Sequence, residues 1–131
     1  MEAPIGSIVA FAGEIDPGFA TRTGWMLCDG RSLDANDPTY RPLFDAIQYA
    51  WGGDRQRQFF NVPDLAGYFL RGVEEQERSH RDPDGNNRPP NNPGGNAGRR
   101  VGSVQEAATA QAKNKLTIEP NGDHAHTLDF K

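Results

Sequence analysis

Residues 60–67 read Phe-Asn-Val-Pro-Asp-Leu-Ala-Gly, and this stretch decides the fold of the chain. Its aromatic and branched side chains favour extended backbone, and the Pro63-Asp64 pair then breaks the run. Over the wider range 58–72, apolar residues continue on both sides of that break. We therefore predict an extended segment, a turn and a short strand, which close a small core together with elements that come earlier in the chain.

Two earlier apolar runs are predicted to be short strands. Residues 5–12 are rich in β-branched and aromatic side chains, and residues 25–28 read Trp-Met-Leu-Cys. Asp29-Gly30 follows the second run and suits a turn that needs a positive φ angle. Residues 16–18, Asp-Pro-Gly, mark a further turn between the two runs.

Residues 38–50 have the spacing of one amphipathic helix of about three turns. Asp37 precedes Pro38, so the aspartate can cap the helix while proline occupies its first turn. Gly52-Gly53 is expected to end the helix. The apolar residues that recur at three- and four-residue spacing are Leu43, Phe44, Ile47 and Ala50.

The predicted fold class is α+β, with a small, mainly-β domain over residues 1–75 that contains the one helix. A long irregular Asn/Gly/Pro-rich arm follows over residues 76–131. Within it, residues 79–100 have Ala97 as their only aliphatic side chain, so almost nothing offsets the entropy of ordering the backbone. We predict a long surface loop there, of the kind that is functional, disordered or ordered by a partner. The predicted core consists of Trp25, Cys28, Tyr40, Leu43, Phe44, Phe60, Leu65 and Phe69.

Composition limits the classes of function. The 131 residues suffice for one domain, or for one domain with an extension. Hydrophobic residues make up 35%, and 15 glycines and 10 prolines require much irregular structure, so a long helical bundle is not expected. The net charge of −4 gives no electrostatic case for binding nucleic acid. No stretch approaches the roughly 18–20 apolar residues of a membrane span, and the amino terminus does not read as a secretory signal.

Catalytic and structural interpretations compete at three positions. Cys28 is the only cysteine, so no intrachain disulfide is possible, and its place in an apolar run favours a buried thiol over a nucleophile. Asp29 and Asp64 could act as an acid and a base, but their neighbours Gly30 and Pro63 favour roles in turns.

Charged residues of both signs alternate at the start of the arm. Such a pattern could form a glycan or anion site, although a solvated and charge-balanced loop is favoured. The residues concerned are Arg78, Arg81 and Arg88 with Glu77, Asp82 and Asp84.

His124-Ala125-His126 is the sharpest local signal for chemistry. In a strand, residues i and i+2 point to the same side, so both imidazoles would face one surface. Two imidazoles can begin a transition-metal site, and tetrahedral zinc would need further donors such as Asp123 or His80. The alternative is a solvated tail that binds no metal.

The order of glycines and aromatic residues up to residue 72 resembles the phage tail collar domain of tail-fibre proteins. The resemblance covers about residues 4–72 of the chain. The motifs that carry it are Gly-Trp-x-x-Cys-Asp-Gly at 24–30, Tyr-x-x-Leu-Phe at 40–44, Gly-Gly at 52–53 and Phe-Asn-Val-Pro-Asp-Leu-x-Gly at 60–67.

The resemblance implies a homotrimeric structural part without catalysis, located in a virion or in a phage-tail-like particle of the contractile injection type. Its expected partners are other tail or baseplate proteins and a cell-surface glycan or receptor, with no nucleic acid and no membrane insertion. It also implies that His124 and His126 hold a transition metal ion, iron or zinc, shared between three chains. Because loops on a rigid scaffold often carry recognition, we expect receptor contacts in the arm. The candidate contact residues are Arg81, Arg88, Asn91 and Asn92.

Two other functions remain open. A monomeric carbohydrate-binding module would use Trp25, Tyr40 or Trp51 as a platform on which a sugar ring stacks. A small metal-dependent hydrolase would combine Asp123 with the two carboxyl-terminal histidines, and it would also need an open metal position and a pocket that excludes water.

Overall fold

The structure, a computed structural model, describes residues 3–74 and 81–106. Three short strands, Ser32–Asp34 (β1), Gly53–Asp54 (β2) and Phe59–Asn61 (β3), form one antiparallel sheet in the order β1-β3-β2. Phe60, in the middle strand, lies opposite Leu33 in one neighbouring strand and opposite Gly53 in the other. The small sheet agrees with the predicted mainly-β domain.

The turn between β2 and β3 is held by Asp54. Its Oδ1 accepts hydrogen bonds from the backbone N–H groups of Gln56 (2.9 Å) and Arg57 (3.1 Å). Gln58 completes the turn with a φ angle of 59°, in the left-handed region. This local bonding sets the register in which Gly53 faces Phe60.

The prediction of strands at residues 5–12 and 25–28 is wrong, because neither range contains a strand. A strand requires a continuous ladder of hydrogen bonds with a neighbour, and from residues 25–28 only the Cys28 carbonyl bonds the 60–67 stretch, where it accepts from the Leu65 N–H at 3.1 Å. There Asp29 forms an isolated antiparallel bridge with Asp64. Gly30, with a φ angle of 75°, then makes the turn that its sequence predicts.

One short helix precedes β1 and a second follows it. The first, Phe19–Thr23 (α1), was not predicted; it follows the expected turn at residues 16–18, in which Asp16 Oδ1 accepts from the Gly18 N–H at 2.8 Å. The second, Arg41–Ile47 (α2), is shorter than predicted. Asp37 bonds the backbone N–H of Thr39 at 2.8 Å and so forms a turn ahead of the helix.

The end of α2 also differs from its prediction. Gln48 has φ 45° and ψ −132°, which stops the helix at once, so Gly52-Gly53 does not serve as its carboxyl-terminal cap. The two glycines instead lie at the edge of the sheet, where β2 begins.

The core lies between α2 and the sheet. Phe60 is 0% exposed at its centre, and the Phe44 ring packs on it with 5.3 Å between ring centroids. Tyr40 and Leu43 are half-buried against the same cluster, whereas Cys28 and Leu65 are half-buried elsewhere. The buried hydrophobic residues of this core, within the described residues, are Leu33, Ala35, Phe60 and Val62.

Trp25 and Phe69 are not core residues, and their predicted burial is wrong. Trp25 is 39% exposed and Phe69 is 98% exposed. Both were expected in the core because large aromatic side chains are usually buried, but the sheet extends no further than Asn61 and offers Phe69 no surface to cover it.

The described part of the arm, residues 81–106, is irregular and folds back against the sheet, an attachment that the sequence did not predict. Asn91 makes a matched pair of hydrogen bonds with the backbone of Asp64: its Oδ1 accepts from the N–H at 2.7 Å, and its Nδ2 donates to the carbonyl at 2.9 Å. Asn92 Nδ2 donates to the carbonyl of Trp51 at 2.9 Å. Side-chain amides thus replace the strand pairing that this segment lacks.

Backbone groups add to this attachment. Gly53 N–H donates to the carbonyl of Pro93 at 3.0 Å, and Asn96 N–H donates to the carbonyl of Ala50 at 2.9 Å. We call the contact of residues 91–96 and 102 with residues 50–53 and 64 the clasp. It holds the arm on the edge of the sheet.

Gly102 shows how close the two segments of the clasp come. Its φ angle is 97°, and a Cβ atom there would collide with the carbonyl oxygen of Ala50. Gly52, with φ 116°, has the same constraint from the other side, because its Cβ would lie 2.6 Å from that of Asn92. Only glycine on both sides permits this approach.

Replacement of Gly102 should therefore unfold the clasp. We expect Gly102→Ala to lower the free energy of unfolding by about 3 kcal/mol or more, since backbone strain and an unavoidable collision act together. Gly67→Ala is the matched control, because Gly67 also has a positive φ (78°) but has no atom within 4 Å of an added Cβ. It should lose only about 1 kcal/mol. Equal losses in urea unfolding of the two variants would contradict the clasp.

Candidate functional site

A groove of about 930 Å³ runs between the amino-terminal segment and helix α2. Residues 3–8 form one wall, residues 20–28 form another, and the first residues of α2 contribute the floor together with Val62. Trp25, Tyr40 and Trp51, the three aromatic residues that the sequence offered as stacking platforms, all line it.

The chemistry of the groove is apolar. None of its lining residues carries an Asp, Glu, Lys or Arg side chain. The polar side chains are mostly hydroxyl groups, from Ser7, Thr21, Thr23, Thr39 and Tyr40. Such a surface suits an apolar or aromatic group and gives no charge with which to hold an ion.

Cys28 lies in the groove as a free thiol. Burial, and to a smaller extent the carboxylate of Asp29, raise the pKa of this thiol above its ordinary value. The thiolate is the reactive form, so the raised pKa lowers the reactivity of Cys28 at neutral pH. This agrees with the structural role that the sequence favoured over that of a nucleophile.

Asp29 and Asp64 serve turns. Asp29 accepts from the Arg31 backbone N–H at 3.1 Å and from Arg31 Nε at 2.9 Å, and these bonds to Arg31 lower the pKa of its carboxyl. Asp64 Oδ1 accepts from the backbone N–H of Ala66 at 3.2 Å. An acid held ionised by an arginine is a poor proton donor, so the pair does not have the arrangement of an acid–base couple.

The arm contains a buried ionic cluster that sequence reasoning missed. Arg88 is 8% exposed, and its Nη2 lies 2.7 Å from Asp82 Oδ1, whose side chain is 4% exposed. Arg99 Nη1 lies 3.2 Å from Glu74 Oε2, and Arg99 Nη2 donates to the carbonyl of Asp82 at 2.8 Å. The expected solvated loop is therefore wrong for Arg88 and Asp82. The alternation of charges was the available signal, since buried charges occur paired.

Of the four candidate receptor-contact residues, three make contacts within the chain and one lies exposed. Arg88 points into the ionic cluster, and Asn91 and Asn92 use their amides in the clasp. Arg81 lies exposed at the surface. Receptor contact by these four residues stays a prediction.

Residues 6–70 match the family model of the phage tail collar domain. They form a phage tail collar domain. The collar domain is a structural family of phage tails and not a family of enzymes. The groove lies almost wholly within the matched range, while the clasp joins the collar domain to residues 91–102, which lie beyond it.

The chain is also similar to the protein RhiB of Rhizobium leguminosarum bv. viciae. It is 29% identical over an alignment of 121 residues, which covers 64% of this chain and 54% of RhiB. The chain therefore spans about half the length of that relative.

Within residues 3–74 and 81–106, no group of three His, Cys, Asp or Glu side chains could hold a metal ion. The predicted ligands His124 and His126, and the further donors Asp123 and His80, lie outside the described residues. No helix of the described part of the collar chain is long and apolar enough to cross a bilayer.

The Asn91 amide is the polar centre of the clasp. Removing it with Asn91→Ala leaves the backbone N–H and carbonyl of Asp64 without their partners, which should cost about 1–3 kcal/mol. Asn36→Ala, at an exposed asparagine near β1, should change stability by less than about 0.5 kcal/mol. The free energies come from urea unfolding followed by circular dichroism, and an Asn91→Ala variant as stable as Asn36→Ala would refute the role of the amide.

Removing the charge of Asp82 should be more severe. Asp82→Asn leaves the Arg88 guanidinium buried without its carboxylate, and Arg88 Nε already has no hydrogen-bond partner among the described residues. We expect a loss of about 3 kcal/mol. Asp84→Asn, at an exposed carboxylate two residues away, should be nearly neutral. Thermal unfolding of both variants at one pH provides the test, and similar melting temperatures would argue against a buried ion pair.

Proposed function

We propose that the protein is a structural and adhesive component of a phage tail or phage-tail-like particle, and that it acts as a homotrimer in attachment to a host or target cell. The collar domain at residues 6–70 is the observation that carries this proposal, since the family belongs to phage tails. Other tail or baseplate proteins are the partners that such a part would contact within the particle.

The balance of buried and exposed apolar side chains supports assembly. In the described residues, Phe60 is the largest side chain that is fully buried. Twelve large hydrophobic residues, by contrast, are at least 37% exposed. A core this small gives a single chain little stability, and contact between copies would bury further apolar surface. The exposed set includes Ile5, Val9, Phe11, Ile15, Trp25, Leu27, Tyr68, Phe69 and Leu70.

The clasp and the ionic cluster support an adhesive role because they fix the arm to the domain. A recognition surface on a rigid scaffold loses little entropy when it binds, and three copies of a weak site give high avidity. With Arg88, Asn91 and Asn92 engaged inside the chain, we place the contacts with a cell-surface glycan or receptor on the exposed polar residues nearby. These are Arg81, Asp84 and Asn87.

His124 and His126 complete the proposal as ligands of iron or zinc. Three chains would bring six imidazoles to one axis, a donor set that suits either ion. The metal would then link the three chains at their carboxyl-terminal segments.

Light scattering after size exclusion, with elemental analysis of the same peak, tests assembly and metal together. We expect a mass of about three times the 14.4 kDa of one chain and one iron or zinc per three chains. The double variant His124→Ala, His126→Ala should lose the metal, and Arg81→Ala, which removes no imidazole, is its control. A monomer at every concentration would contradict the trimer, whereas a trimer free of metal would remove only the metal site.

A monomeric carbohydrate-binding module is the second candidate, and one observation favours it. The groove brings together Trp25, Tyr40 and Trp51, whose rings could stack on a sugar. The groove lacks the charged side chains that often fix sugar hydroxyls, which is why we prefer the tail role. Binding to a glycan array by a monomeric sample, abolished by Trp51→Ala, would support the module instead.

A further inference from the structure

We propose that Phe69 of one copy inserts into the apolar groove of the next copy. The inference rests on the proposed homotrimer and names the contact that would join its subunits. It goes beyond the collar assignment because it identifies the two surfaces that meet: the Tyr68-Phe69-Leu70 segment, which we call the knob, and the groove between residues 3–8 and 20–28.

The knob has no partner within the described part of its own chain. Phe69 is 98% exposed and Leu70 is 63% exposed, and neither side chain lines the groove of its own chain. The segment follows a turn at Gly67 (φ 78°), in which Tyr68 N–H donates to the carbonyl of Leu65 at 3.1 Å. A turn that is closed by a hydrogen bond presents these apolar side chains outward.

The groove offers what an aromatic knob requires. Trp25 and Trp51 provide aromatic surfaces for edge or stacked contacts with a phenyl ring. Its volume of about 930 Å³ exceeds the space that one phenyl group needs, so Leu70 could enter beside Phe69. Ile5 and Leu27, which line the groove, are 61% and 47% exposed and add to its apolar surface.

The absence of charge on the knob and on the groove favours a second copy of the chain as the occupant of the groove. Each chain carries a net charge of −4, so like charges placed at the contact would add to the repulsion between identical chains. The lining of the groove carries no charged side chain, and residues 65–70 contain none either. Both sides of the proposed contact therefore avoid the repulsion that like charges would cause.

The geometry of the contact also favours closure. Knob and groove are different surfaces of one chain, so each copy offers one and accepts the other. Such a head-to-tail contact forms a ring when the rotation between copies closes, and in a ring of three every knob and every groove is used. A glycan or an unrelated peptide in the groove would leave the knob uncovered.

Cross-linking between two different chains tests the insertion directly. Cys28 lies in the groove and is the only native cysteine. A tagged chain with Cys28→Ser and Phe69→Cys is coexpressed with the untagged wild-type chain and treated with a short bis-maleimide at pH 8.5. Because each chain has one thiol, a product that joins tagged to untagged chain must connect position 69 to Cys28 of another copy. We expect that product, and a tagged chain with Cys28→Ser and Val101→Cys should yield none.

Substitution of Phe69 provides a second test. Phe69→Asp should reduce the mass in light scattering from three chains to one while the circular dichroism spectrum stays that of the folded chain. Val101→Asp, at a 49% exposed valine outside the knob and the groove, should remain a trimer. A trimer that survives Phe69→Asp and gives no cross-link overturns the insertion but leaves the proposed function intact. A wild-type chain that is monomeric at every concentration overturns both.

Discussion

The close approach of residues 91–102 to the backbone of residues 50–53 is the constraint on which the rest of the structure depends. Two segments far apart in sequence come near enough for the backbone of Gly53 to bond Pro93, and glycine at position 102 is required because any Cβ would strike Ala50. The contact covers the edge of a sheet whose strands are only two or three residues long. A sheet so small needs such support.

This constraint divides the surface of the molecule by chemistry. The polar side chains of the arm turn inward, where Asn91 serves the backbone of Asp64 and Arg88 pairs with Asp82. Several large apolar side chains of the collar domain, Phe69 among them, stay exposed in the described residues. A chain that satisfies its polar groups internally and exposes apolar ones is suited to assembly with further copies, which is why the proposed function is structural.

Sequence reasoning succeeded where local chemistry decides the structure. The turns at residues 16–18 and at Asp29-Gly30 follow from aspartate and glycine alone, and the helix near Leu43 follows from spacing. It failed where distant contacts decide. Among the described residues, 5–12 have the composition of a strand but no pairing partner, and Phe69 has the composition of a core residue but no surface that covers it.

The arm shows the same limit most clearly. Its Asn, Gly and Pro content predicts a loop, because composition does not reveal that an amide can replace a strand partner. Amide hydrogen exchange followed by NMR tests most directly whether residues 81–106 complete the collar fold. We predict that the amides of Gly53 and Asn96 exchange as slowly as that of Val62, which bonds Arg31 beside the sheet. Exchange of both at the rate of unprotected amides, with Val62 still protected, would contradict the account.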